Sequence, residues 1–139
     1  MSKIIIDFCI LNERNQLYIQ KRVKNRKIYP NVWELPGGTL EKDEKIEECI
    51  ARELKEELNL DLSKIGNLIY KTNFIYKNEN YIYQVFEIFV KNWQNFKLEE
   101  NKADEFKFIS QDEIDVLNIN RKKKNLNPIY LAVKKFFER

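Results

Sequence analysis

One stretch constrains this chain more than any other: Gly38 to Leu60, GTLEKDEKIEECIARELKEELNL. Within it Ile46, Ile50, Leu54 and Leu58 recur every four residues, the spacing of one face of an α-helix. The spacing predicts a helix over Glu44–Leu58 that must lay this stripe on a packed layer. Glu53, Glu56 and Glu57 stand at i, i+3 and i+4 of the same helix. At about 100° per residue they fall within roughly a quarter turn, beside the apolar stripe rather than opposite it. They therefore emerge at the edge of the packed surface, where a cleft can form. Like charges so close raise one another's pKa unless a cation neutralises them, and oxygen ligands suit a hard cation such as Mg²⁺. The competing reading is a solvated Glu/Lys face, which Lys45, Glu47, Glu48 and Lys55 fit well. The adjoining Gly37-Gly38 turn and Arg52 favour the cation reading for the other three. Asp43 is the expected N-cap. Asn59 is the expected stop, because Asn tolerates the left-handed conformation.

The flanking sequence supplies strands. Lys3–Leu11 is Ile-rich, Asn12–Asn15 is turn-like, and Gln16–Val23 alternates as its hairpin partner. Lys24–Asn31 is a basic loop, and Val32–Leu35 a short strand stopped by Pro36-Gly37-Gly38. Asn67–Tyr76 and Tyr81–Lys91 are aromatic and β-branched and form a hairpin around Lys77–Asn80. Glu105–Ile109 reads as a further strand, Gln111–Leu117 as a short helix, and Leu126–Phe137 as an amphipathic helix with Pro128 in its first turn. Strands on both sides of one central helix predict an α/β (α+β) fold, a mixed sheet with helices on both faces.

Composition removes several function classes. The chain holds no His, which excludes His-ligated zinc and Ser-His-Asp or Cys-His machinery. Lys+Arg 25 against Asp+Glu 22 is near balance, so neither a nucleic-acid nor an anionic-membrane partner is required. The run Arg121-Lys122-Lys123-Lys124 lacks interleaved aromatics and reads as a solvated loop. Cys9 and Cys49 sit in apolar contexts and read as buried free thiols of a cytoplasmic protein. The N-terminal apolar run is too short for a membrane span. A length of 139 residues suits a single domain, residues 1–139. Asp7 interrupts an apolar strand, so it faces either a pocket or water.

The central stretch resembles the Nudix box of MutT-like pyrophosphohydrolases: Gly, five residues, Glu, seven residues, Arg-Glu-hydrophobic, any, Glu-Glu, any, Gly-hydrophobic. Gly38, Glu44, Arg52, Glu53, Leu54, Glu56, Glu57 and Leu60 fall in register. Asn59 replaces the family's Gly, and Asp43 a frequent second Gly. The approach Trp33-Glu34-Leu35-Pro36-Gly37-Gly38 is also similar. The resemblance implies an α/β/α sandwich and a Mg²⁺-dependent hydrolase, with Mn²⁺ as a substitute, that cleaves a phosphoanhydride of a nucleoside triphosphate, damaged or non-standard ones included, to monophosphate and pyrophosphate. By the same resemblance the metal ligands are Glu53, Glu56, Glu57, the carbonyl of Gly37 and a loop carboxylate, Glu100, with Glu99 and Glu105 as rivals. Glu53 orients or deprotonates the water, and Arg52 and Glu44 pair to brace the loop. Arg22, Gly38, Thr39 and Asn127 are candidate substrate contacts, Asn127 as a reader of the base. The partner is a small nucleotide, and the protein a monomer or homodimer. A dinucleoside polyphosphate or nucleotide-sugar hydrolase is the enzymatic alternative, with Tyr76 as a marker of the former. A non-catalytic nucleotide sensor is the alternative of another class, and intact box carboxylates speak against it.

Overall fold

The computed structural model describes residues 2–25, 30–121 and 127–139. In chain order it contains β1 (Lys3–Cys9), β2 (Leu17–Arg22), β3 (Trp33–Glu34), β4 (Gly37–Thr39), α1 (Ile46–Leu58), β5 (Asp61–Tyr76), β6 (Glu79–Lys91), β7 (Ala103–Ile109) and α2 (Pro128–Glu138). Short 3₁₀ turns cover Trp93–Asn95 and Gln111–Asn118. Instead of the one mixed sheet expected, there are two. A four-stranded sheet runs β4-β1-β6-β5 and a three-stranded sheet β3-β2-β7. The β1–β6 pair is parallel and the other pairs are antiparallel.

The expected β1–β2 hairpin does not extend beyond its turn. Leu11 bridges Leu17, and the Tyr18 N–H donates to the Ile10 carbonyl at 2.9 Å. The strands then part, because both edges of β1 are taken, by β4 on one side and β6 on the other. β2 pairs instead with β3 and β7. β5 begins at Asp61, earlier than expected. Register shifts near Leu62, Ile65 and Leu68 break the alternation that would have announced it. The β5–β6 turn is tight, with Lys77 and Asn78 both at positive φ, the form that matches strand twist.

The period of two along the strands separates the two faces of the sandwich. Ile6 and Phe8 of β1, with Ile10 just beyond it, pack with Tyr18 of β2 and with Cys49, Ile50, Leu54 and Leu58 of α1. Cys9 of β1, with Leu17 and Ile19 of β2, joins the opposite cluster, which contains Ala132, Val133 and Phe136 of α2. Ile50, Leu54 and Leu58 are fully buried, each contributing about 1.5–3 kcal/mol through apolar burial. Asp7 falls on the α2 side of β1 by the same alternation. Asn59 closes α1 at φ 54°, ψ 36°, as its residue type predicts, and its side chain also donates to the Asn95 carbonyl at 3.0 Å.

Asp43 does not cap α1. It takes φ 64° in the preceding turn, and the helix starts after Lys45, whose N–H is received by Glu48 at 2.8 Å. α2 is capped by Asn127, which accepts from the Ile129 N–H at 3.0 Å, with Pro128 in the first turn. Leu126, expected to begin that helix, lies outside the described residues, as do Lys122, Lys123 and Lys124. No helix among the described residues is long and apolar enough to cross a membrane.

Candidate active site

α1 reaches the cleft through its carboxylate edge. Glu53 and Glu57 are one turn apart and only 4% and 2% exposed, although both line a cleft of about 640 Å³. Glu56 points outward, its side chain 56% exposed and 3.4 Å from Arg52. The sequence grouped all three, but the sheet covers only the side of the helix that holds two of them.

Each buried carboxylate is fixed by a different part of the fold. Glu57 ties three elements together. Its Oε2 accepts from the Gly37 N–H of β4 at 3.0 Å, and its Oε1 from Gln20 Nε2 of β2 at 3.3 Å. Gln20 in turn accepts from the Tyr18 hydroxyl at 3.0 Å. Burial pushes the Glu57 carboxyl up to about 8; Lys102 pulls against this, while Glu53, Asp7 and Glu34 reinforce it. Glu53 is held by cations. Arg52 Nη1 lies 2.7 Å from its Oε1, and Lys102 Nζ lies 3.3 Å from its Oε2.

Arg52 is the hub of the loop that precedes α1. Its Nε and Nη2 meet both oxygens of Glu44 at 2.7 and 3.0 Å, and Nη2 also donates to the Thr39 carbonyl at 3.2 Å. The bidentate contact is the strong form of this pair. It holds the Glu44 carboxyl down at about 2, with the Glu41 N–H adding a backbone bond. Cys49 lies beneath the same network, its thiol pushed up to about 12 by burial. Cys9 and Cys49 are both buried and free.

The two glycines at the turn permit close approach. A Cβ on Gly38 would stand 2.3 Å from the Glu53 carboxyl carbon. A Cβ on Gly37 would stand 2.2 Å from the Ile6 carbonyl oxygen and 2.3 Å from Asp7 Oδ1. The β1–β4 register places Asp7 opposite Gly37 and Ile6 opposite Gly38. Asp7 is buried, accepts from the Tyr83 hydroxyl at 2.7 Å, and is raised well above the usual carboxylate range by burial.

Other predicted residues distribute unevenly. Arg22 lines the cleft beside Glu34, with Nη1 to Oε1 at 3.0 Å. Thr39 and Gly38 line it as well. Asn127 is at the wall, but its carbonyl caps α2 and its amide donates to the Leu117 carbonyl at 3.1 Å, so both ends already bond the main chain. Glu100 is not brought to this cleft; it borders a separate depression with Lys24, Asn25 and Asp104. Of its rivals, Glu105 faces Lys21 at 3.3 Å. Glu99 donates its N–H to the Glu57 carbonyl at 2.8 Å, and its carboxylate accepts from the Asn101 N–H at 3.1 Å. None of the three lines the cleft, and neither does Tyr76.

Glu34, Phe74, Tyr83, Lys102 and Arg121 do line it, and none of them is among the site residues expected from the sequence. Glu34 was visible inside the Trp33–Gly38 approach. Lys102 carries no such signal, being one cation among 25. Arg121, expected as part of a solvated run, donates to the Trp33 carbonyl at 3.1 Å and to Leu117 at 2.9 Å.

Among the described residues, no three acidic or Cys side chains already stand close enough together to hold a metal. Two donors suited to a hard cation are nevertheless buried at the cleft, Glu53 and Glu57, beside Gly37. The Glu53 carboxyl lies where a side chain on residue 38 would stand, so it keeps this position only because Gly38 has none. This oxygen-only set fits Mg²⁺ or Mn²⁺.

A family model described as NUDIX domain matches residues 1–131. An uncharacterised Nudix hydrolase of Listeria monocytogenes is 29% identical over 117 residues, covering 82% of this chain and 67% of that protein. The chain spans only 36% and 51% of two further Nudix relatives, from Listeria innocua and Nostoc. The nucleoside triphosphatase NudI of Salmonella heidelberg is 42% identical over 55 residues, 39% of each chain. Among solved structures, a MutT protein from Methanosarcina mazei superposes with a TM-score of 0.74 at 25% identity, over 99% of this chain and 91% of that one.

Proposed function

The chain belongs to the Nudix family, and on that premise we propose that its 139 residues form one catalytic domain that hydrolyses nucleoside triphosphates to monophosphate and pyrophosphate. The observation that carries this reading is the pair of buried carboxylates, Glu53 and Glu57, facing a cleft whose walls also hold Arg22, Arg52 and Lys102. Buried acids opposite mobile and fixed cations are the makings of a phosphate site. The similarity to a nucleoside triphosphatase over 55 residues supports the substrate class.

Glu53 and Glu57, with the Gly37 carbonyl, would hold Mg²⁺. What the ion supplies when bound is neutralisation of the charge that gathers on the phosphate oxygens. The rest is the work of this chain. Arg52 and Glu44 fix the loop and hold Glu53 at the cleft. Glu53 orients a water and takes its proton as the water oxygen bonds to phosphorus. The bridging P–O bond breaks, and its electrons leave with pyrophosphate. Arg22 and Thr39 face the phosphates. Asp7, Tyr83 and Phe74 line the part of the cleft left for the nucleoside. Two buried free thiols support the cytoplasm, a reducing compartment, as its location.

The test is a product-resolved hydrolysis screen over ordinary and oxidised nucleoside triphosphates, dinucleoside polyphosphates and nucleotide sugars. Monophosphate plus pyrophosphate from a triphosphate is the expected result, lost by at least about a hundredfold in Glu53→Gln. Cleavage confined to dinucleotides overturns the substrate class. Tight nucleotide binding without any cleavage overturns the enzyme in favour of a sensor.

A further inference from the structure

Lys102 stands against the carboxylate helix without belonging to it. Its Nζ is 3.3 Å from Oε2 of Glu53, whose other oxygen is 2.7 Å from Arg52. Each oxygen of this buried carboxylate thus faces a cation supplied by the chain itself. The two cations are held in different ways. The Arg52 guanidinium is locked by both oxygens of Glu44 and the Thr39 carbonyl. The Lys102 side chain is 39% exposed and ends in a point charge on a flexible four-carbon stem. Its main chain is anchored, with the N–H directed at the Glu99 carbonyl at 3.4 Å and the carbonyl receiving the Val23 N–H at 3.1 Å. The ammonium can therefore swing within the cleft while the backbone stays in place.

We propose that Lys102 is the resident counter-ion of Glu53, that a divalent cation must displace its ammonium from Oε2, and that the displaced ammonium then binds the phosphate chain of the substrate. This rests on the reading of Glu53 as a metal ligand. A dication and an ammonium sharing one oxygen of a buried carboxylate would repel at short range. Once moved, Lys102 needs another anion, and lysine serves phosphates well as a point charge. The consequence is coupling. The substrate-free protein holds metal weakly, and a polyphosphate that draws Lys102 away favours metal loading. Glu53 is thereby kept paired, and its charge compensated, between turnovers.

Mn²⁺ titrated into the nucleotide-free protein, with free Mn²⁺ followed by paramagnetic resonance, tests the first half. Lys102→Met should bind Mn²⁺ at least about threefold more tightly than wild type, the worth of a partly exposed ion pair. Lys102→Arg, which keeps the charge, should stay near wild type. Affinity for inorganic tripolyphosphate as its Mg²⁺ complex tests the second half and should fall in Lys102→Met and be retained in Lys102→Arg. Unchanged or weaker Mn²⁺ binding in Lys102→Met overturns the displacement. Unchanged tripolyphosphate affinity overturns the phosphate contact. Glu53→Gln in the wild-type background separates this proposal from its premise: Mn²⁺ affinity that survives it unchanged removes Glu53 as a metal ligand and the proposal with it. Lys102→Gln gives the same comparison should the Met variant fold poorly in a thermal melt.

Discussion

Gly37 and Gly38 are neighbours with different jobs, and substitution separates them. Gly37 sits at φ +153°, and an added Cβ would meet main-chain atoms, the Ile6 carbonyl and the Asp7 Cα. Those atoms belong to a paired strand and have little room to give. Gly37→Ala is expected to cost about 1–3 kcal/mol of stability, read as a lowered denaturation midpoint. At Gly38 the three atoms nearest to such a Cβ all belong to the end of the Glu53 side chain. Gly38→Ala should therefore unfold near the wild-type midpoint while hydrolysis falls at least about tenfold, because Glu53 is pushed aside. Equal stability losses in both variants would contradict this division. In the sequence the two residues are alike, a Gly-Gly turn. What distinguishes them is that Asp7 stands opposite one and Ile6 opposite the other.

Along α1, the stop and the entry loop each carry a prediction. Asn59 holds a left-handed φ of 54° and bonds the Asn95 carbonyl. Asn59→Ala should lose about 1–2 kcal/mol in chemical denaturation, since a Cβ-bearing residue without a polar side chain is disfavoured there. The entry loop depends on Glu44. Its carboxyl is held at about 2 by Arg52, below its unfolded value, so its stabilising contribution is present above the unfolded pKa and lost as pH falls through the folded one. Wild-type protein should lose stability as pH drops from about 4.5 towards 2, and Glu44→Gln should flatten that part of the profile. The element itself was legible. The apolar stripe of Ile46, Ile50, Leu54 and Leu58 gave the helix and its buried face, and the residue type of Asn59 gave its end. Its start was not, because Asp43 is drawn into a left-handed turn that local preference for capping does not foresee.

For the molecule as a whole, metal, proton and fold are linked through Glu57. Its carboxyl is raised to about 8 by burial, so the metal-free protein is most stable with Glu57 protonated. That contribution is full below the unfolded pKa and is lost as pH rises through about 8. A cation bound at Glu57 replaces the proton. The increase in melting temperature on adding Mg²⁺ should therefore grow from pH 6 to pH 8.5, and Glu57→Gln should abolish that growth. An equal Mg²⁺ effect at both pH values would count against Glu57 as a ligand. The order of residues from Gly38 to Leu60 was enough to determine the helix and its packed stripe, because these follow from spacing along one element, and its match to a known box supplied the family and the Arg52–Glu44 pairing as what that resemblance implies. Only the tertiary structure decided which carboxylates are buried, since that depends on how the strands cross α1: Gln20 and Gly37 close over Glu57, and Glu56 is left in solvent. It also set Lys102 rather than Glu100 against Glu53. That choice is made by where the chain enters β7 and by the bond from Val23 to the Lys102 carbonyl, a contact between segments far apart in sequence that no local pattern encodes.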